Sequence, residues 1–163
     1  MNGSVFHRNF VPTEGSEGSI HAAQLAVDML RGGSGTMALL FVVDAAALKE
    51  PRRFGERAEE EVEHELRDHG RRYLDLRQAE AAAAGVATET FLRERDPLAE
   101  IVAFARDLGA DLIVLGHVGQ RGTRRVLLGS VTQRVLHFAR CPVPVVKGQV
   151  ADGAGAARGP WEA

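Results

Sequence analysis

The sequence predicts an α/β domain: a doubly wound, five-stranded parallel sheet with helices on both faces. Three observations lead there. Short apolar runs suited to buried strands alternate with longer segments whose apolar residues recur at helical spacing. The resulting order, β-α-β-α-β-α-β-α-β, places a crossover helix between successive strands, which yields a parallel sheet. And 163 residues, 45% of them hydrophobic, suit one domain built on a single core.

RNFVPT, residues 8–13, reads as the first strand, with Pro12 near its end where a missing N–H does least harm. EGSEGS (14–19) is a turn carrying serines able to cap a helix, and IHAAQLAVDML (20–30) follows with Ile20, Ala23, Val27 and Leu30 at helical spacing. RGGSG (31–35) stops that helix, and TMALLFVVD (36–44) is a continuous apolar run, the mark of a strand buried on both faces.

Residues 45–56, with Pro51 and Gly55, read as a loop before a long polar helix over about 57–84. Val62, Leu66, Tyr73 and Leu76 form its narrow apolar stripe, and EEEVEHE near its start is a solvated face. Gly70 inside it is expected to be a weak point worth about 1 kcal/mol against Ala. GVATETFL (85–92) alternates as a strand. DPLAEIVAFARDLGA (96–110) is signed at both ends: Asp96 as N-cap, Pro97 at the first helical position, Gly109 at the stop. DLIVLG (111–116) is a buried strand, a helix runs from near Ser130 to near Arg140, and PVPVVK (142–147) is a last short strand whose prolines favour an edge. The domain is therefore expected over 1–147. Nine of the sixteen residues in 148–163 are Gly or Ala, so that stretch is expected to be a disordered tail.

Charge and composition narrow the function. Twenty Lys and Arg against 22 Asp and Glu leave a formal charge of −2, with no bulk pull toward nucleic acid or an anionic membrane. No apolar run is long enough to span a bilayer, and MNGSVFHRNF lacks the pattern of a secretory signal. Cys141 is the only cysteine, which excludes an internal disulfide and fits a cytoplasmic location. The six histidines show no HxH or HExxH spacing, so no metal site is expected.

GHVGQRGTRRVLLGS (116–130) leaves the fourth strand and enters a helix. In open α/β sheets ligands bind beyond the C-terminal strand ends, at the point where strand order reverses. Glycines there admit a phosphate close to backbone N–H groups, and a helix N-terminus adds open donors and partial positive charge. The loop by itself also fits a mobile surface connection, and Ser130 also fits a plain helix N-cap. Other phosphate motifs fail. GxxxxGK[ST] is absent, and GSGTMA (33–38) precedes a strand instead of following one. His117 shows no Ser or Asp partner in the sequence, so no catalytic residue is assigned.

What remains is the spacing Gly116-x2-Gly119-x9-Gly129-Ser130. With it, the chain resembles the universal stress protein family, nucleotide-binding subgroup. VPTEGSEGS, LLFVVD, DPLAEIVAFARDLGADLIVLG and GSVTQRVLHFARCPVPVVK resemble further segments of that family in the same order, so the likeness runs from about Arg8 to Lys147.

The resemblance implies strand order 3-2-1-4-5, with ATP at the switch between strands 1 and 4. Pro12, Thr13 and Glu14 then flank adenine and ribose, and Val42 meets the adenine through its backbone. Leu115, Gly116 and Gly119 lie under ribose and phosphates. Gly129, Ser130, Val131 and Thr132 offer N–H or hydroxyl donors to the phosphates. A Mg or Mn ion is carried on the phosphates without protein ligands. The resemblance also implies a homodimer whose last strands pair antiparallel, with Val143 and Val145 at the seam, and a regulatory role exerted through protein partners.

Two other functions fit the same residues: a slow ATP hydrolase or phosphotransferase, and a family member that has lost nucleotide binding. Three departures bear on that choice. Glu14 stands where the family usually has Asp and reaches one methylene further. Arg95 stands where glycine is common and is expected to crowd or contact the adenine side. His117 replaces a small polar residue.

Overall fold

A computed structural model describes residues 5–44, 59–117 and 128–147. Gly119 and the 148–163 tail lie outside the described residues, as does the whole of the 45–56 loop.

Two strands make the centre. β1 (Arg8–Thr13) is buried from its second residue onward, and β2 (Thr36–Asp44) is buried at all seven interior positions. They pair in parallel from Arg8↔Thr36 to Thr13↔Phe41. On its other side β2 pairs in parallel with β3 (Ala87–Arg95), from Thr36↔Ala87 to Asp44↔Arg95.

Strand alternation sorts the apolar residues into two cores. Val11, Met37, Leu39, Phe41 and Val43 face α1 (Glu17–Leu30) and α2 (Glu59–Ala83). Phe10, Ala38, Leu40 and Val42 face α3 (Pro97–Leu108) and α4 (Ser130–Phe138). Both faces of the sheet are thus covered, as the continuous apolar run of β2 requires.

Local signals set most helix ends. Asp96 caps α3 by accepting from the Ala99 N–H at 2.8 Å, Pro97 opens it, and Gly109 closes it in the left-handed region at φ 64°. α1 starts at Glu17, three residues before the expected Ile20, because Ser16 is the cap and accepts from the Ser19 N–H at 3.3 Å.

α2 corrects two expectations. Leu76 is 54% exposed, and Leu74 is the buried leucine; the inner face runs through Val62, Leu66, Gly70, Tyr73, Leu74 and Ala81. Gly70 is a contact residue, since a Cβ there would sit 2.8 Å from both Leu92 Cδ1 and Phe41 Cδ1. Arg67 ties the helix to β3, with its Nη2 2.9 Å from Glu94 Oε2; this guanidinium holds the Glu94 carboxyl below the usual glutamate range.

The far side of the sheet differs from the expected five strands. The described residues form a four-stranded sheet, β3-β2-β1-β4, and a separate two-stranded ladder, β5-β6. β4 is Leu112–Ile113, β5 is Leu115–Gly116 and β6 is Val145–Val146. The 111–117 segment directs its N–H groups alternately to two sides. Asp111 and Val114 donate to Arg8 O (3.2 Å) and Phe10 O (2.9 Å) on β1. Ile113, Leu115 and His117 donate to Pro142 O (3.1 Å), Pro144 O (3.0 Å) and Val146 O (2.8 Å). Pro142 and Pro144 have no N–H to return, so the ladder closes only at Leu115↔Val145 and Gly116↔Val146.

Among the described residues no helix is long and apolar enough to cross a membrane.

Candidate functional site

β1 has β2 on one side and β4 on the other, so chain order reverses between β1 and β4. The C-terminal ends of β1 and β5 therefore flank the switch point where open α/β sheets receive ligands. Two chain segments leave from there: the turn 14–16 into α1, and the loop beyond His117 into α4.

The second segment is pinned at both ends. The Gly129 N–H donates to His117 O at 3.1 Å, and the Thr132 hydroxyl donates to Gly116 O at 3.0 Å. The loop that joins them thus starts and ends at one place. Gly129, not Ser130, holds the N-cap position, with no side-chain cap bond; Ser130 is the first helical residue and is exposed. The Gln133 N–H donates to Gly129 O at 2.9 Å, which leaves the N–H groups of Ser130, Val131 and Thr132 at the open end of α4. Val131 rests half-buried on the α3/α4 core, and Thr132 is buried. Its hydroxyl is already engaged with Gly116, so its donor toward a ligand is the backbone N–H.

Gly116 allows α1 to come close. A Cβ on it would lie 2.7 Å from Gly18 C and 2.9 Å from Ser19 N, both backbone atoms that no rotamer change can move. Leu115, 4% exposed, turns its side chain into the α3/α4 core beside Val42. Val42 lies one residue past the last β1–β2 pair, Thr13↔Phe41, so its backbone edge toward β1 has no ladder partner there. The Val42 side chain lies in the core.

The first segment is a hydrogen-bonded knot. Thr13 Oγ1 lies 3.0 Å from Ser19 Oγ and 2.9 Å from Tyr73 Oη, and the Gly15 N–H donates to it at 3.4 Å. Ser19 Oγ donates to Ser16 O at 2.9 Å, and the Ile20 N–H donates to the same carbonyl at 3.0 Å. Pro12 is buried in β1 just before this turn. Burial pushes the Glu14 carboxyl above its ordinary value, while a hydrogen bond with the Ser16 side chain pulls it partly back.

Arg95, the last residue of β3, turns toward α3. Its side chain is 74% exposed, and its Nε lies 3.7 Å from Glu100 Oε2, drawn toward α3; Arg93 Nε sits 3.6 Å from Glu100 Oε1. The structure thus brings Pro12, Thr13, Glu14, Val42, Leu115, Gly116, Gly129, Ser130, Val131 and Thr132 to one end of the sheet. Sequence reasoning missed Gly18, Ser19 and Tyr73 as members of this end. Tyr73 is the only tyrosine in the chain, a hint that an apolar-stripe reading passes over.

The sequence pattern of the universal stress protein family matches residues 6–147. The chain belongs to the universal stress protein family. A universal stress protein of Methanocaldococcus jannaschii is 37% identical over 147 residues, covering 88% of this chain and 84% of that one. A solved universal stress protein of the same organism, MJ0577, superposes with a TM-score of 0.77 at 27% identity, over 89% of this chain and 98% of the other. A universal stress protein family member of Arabidopsis thaliana, solved with AMP bound, shares the fold at a TM-score of 0.62 and 19% identity, covering 91% and 96%.

Proposed function

We propose that this universal stress protein is an ATP-binding regulatory module. Adenine and ribose lie against Pro12, Thr13, Glu14 and the Val42 main chain. The phosphates lie over Gly116 and Gly119 and take N–H donors from Gly129 to Thr132. Mg or Mn rides on the phosphates and offsets part of their negative charge. The observation that carries this reading is the pinned loop: its two ends are tied at the switch point, directly before the open N–H groups of Ser130, Val131 and Thr132. Anions are favoured there by both donors and helix dipole. An AMP-bound protein of the same fold supports a nucleotide as the ligand class.

The same reading joins β4 and β5 into one strand and sets β6 fifth, in the order 3-2-1-4-5. β6 is the edge that pairs with a second copy through the half-buried Val143 and Val145, and the nucleotide state alters contact with protein partners in the cytoplasm.

The test is to denature freshly purified protein and identify released nucleotide by chromatography and mass spectrometry. About one ATP, ADP or AMP per chain is the expected result. An empty protein is then titrated with MgATP by calorimetry; silence up to millimolar concentration overturns the reading.

A further inference from the structure

The turn that ends β1 is laced by hydrogen bonds among groups of residues 13–20 and by one side chain from α2. Thr13, Gly15, Ser16, Ser19 and Ile20 bond to one another, and Tyr73 reaches in from α2, sixty residues along the chain. Its ring is held independently of its hydroxyl. It packs 5.9 Å from the Phe41 ring, and the Arg77 guanidinium carbon lies 5.5 Å above it. The Tyr73 phenol is thus a fixed point, and the β1 turn hangs from it.

Proton counting gives the bond a direction. Each hydroxyl carries one hydrogen. The Ser19 hydrogen goes to Ser16 O, so the Thr13 hydrogen goes to Ser19 Oγ, and the Tyr73 hydrogen goes to Thr13 Oγ1. This Tyr73→Thr13→Ser19→Ser16 chain ends on the carbonyl that also accepts the Ile20 N–H in the first turn of α1. Thr13 is 4% exposed and Ser19 is 1% exposed, so both hydroxyls are shielded from bulk water and depend on their protein partners.

We propose that Tyr73 is a positioning residue of the nucleotide site: through Thr13 it fixes the turn that presents Glu14 and the end of β1 to the ligand. This rests on the nucleotide reading above. Tyr73 touches no ligand. It selects one Thr13 rotamer and thereby one backbone path from Pro12 to Ser16. The hydroxyl also links α2 to the site, so the register of that helix over β1 and ligand affinity are coupled.

The test compares wild type, Tyr73→Phe, Thr13→Val, Thr13→Ser and the double variant Tyr73→Phe/Thr13→Val by MgATP calorimetry on the full chain, with thermal unfolding of each. Tyr73→Phe keeps the Phe41 and Arg77 contacts and is expected to raise Kd roughly five- to tenfold. Thr13→Val is expected to do the same, Thr13→Ser to restore most of the affinity, and the double variant to be no worse than the worse single one. Thr88→Val removes another partly buried hydroxyl, bonded to Val86 O at 3.3 Å at the N-terminal end of β3, opposite the site, and is the control for stability loss alone. Additive losses, or a Tyr73→Phe protein with wild-type Kd, overturn the positioning role while leaving the nucleotide reading intact. A wild-type protein that binds no MgATP overturns both. If Tyr73→Phe does not fold, the Thr13→Ser and Thr13→Val pair decides: equal affinities overturn the proposal.

Discussion

The Thr132 hydroxyl donates to the Gly116 carbonyl at 3.0 Å and so fastens the start of α4 to the end of β5. The bond spans sixteen residues and closes the base of the loop between them. Thr132 is buried, so its hydroxyl is shielded from bulk water. Thr132→Val keeps the shape and removes the donor. The expected cost is about 1–2 kcal/mol, read as a lower urea midpoint at unchanged slope. Thr132→Ser should recover most of it.

Gly116 serves a second contact that tolerates less. Its Cβ position is occupied by Gly18 and Ser19 backbone at 2.7 and 2.9 Å. Accommodating even a methyl means moving α1 off the sheet. Gly116→Ala is therefore expected to cost about 3 kcal/mol, near the top of the range for overpacking, and to lower the thermal midpoint by roughly 6–12 °C. Unfolding followed by circular dichroism measures this directly; an unchanged midpoint would show that α1 sits further from β5 than described.

These two contacts mark where the sequence stops being legible. Asp96, Pro97 and Gly109 announce α3 because caps are local, and β2 is evident because burial on both faces leaves an unbroken apolar run. The start of α1 is not local in this way. Ser16 and Ser19 are both competent caps, and Ser19 is instead drawn inward to Thr13, with Gly18 packed against Gly116. α2 shows the same limit: choosing Leu74 over Leu76 requires the phase of the helix over Phe41 and Leu92, as does the reason for Gly70. In the site, the glycine-serine spacing is plain from the letters. That the Thr132 hydroxyl is turned to Gly116, and that Tyr73 belongs there, depends on segments sixteen and sixty residues apart. The shortness of the β5–β6 ladder follows from Pro142 and Pro144, whose presence is obvious but whose facing partners are not.

Asn9 is fully buried in β1, and among the described residues neither its side-chain amide nitrogen nor its oxygen has a hydrogen-bond partner. A buried polar group without a partner costs about 1–3 kcal/mol. Its strand neighbours Met37 and Leu112 are apolar. Asn9→Val removes both polar atoms and suits the strand, so it is expected to stabilise the protein by about 1–2 kcal/mol. Chemical denaturation tests this, and a destabilised variant would refute the account of Asn9 as an uncompensated burial.

Glu14 gives the stability a distinct pH dependence. Burial raises its folded-state pKa above the ordinary 4.5, the hydrogen bond with Ser16 opposing this only in part. A carboxyl shifted in that direction takes up a proton on folding. Its contribution is fully present below pH 4.5 and is lost as pH rises through the folded-state value. At neutral pH the buried charge opposes folding, and Glu14→Gln relieves it. Nucleotide-free Glu14→Gln protein is therefore expected to be more stable than wild type at pH 7, with the gap closing as pH falls toward 4.5. Urea titrations across that window measure the gap at each pH. A gap that widens toward low pH would mean that the Glu14 carboxylate is stabilised as an anion in the fold, with the Ser16 bond outweighing burial.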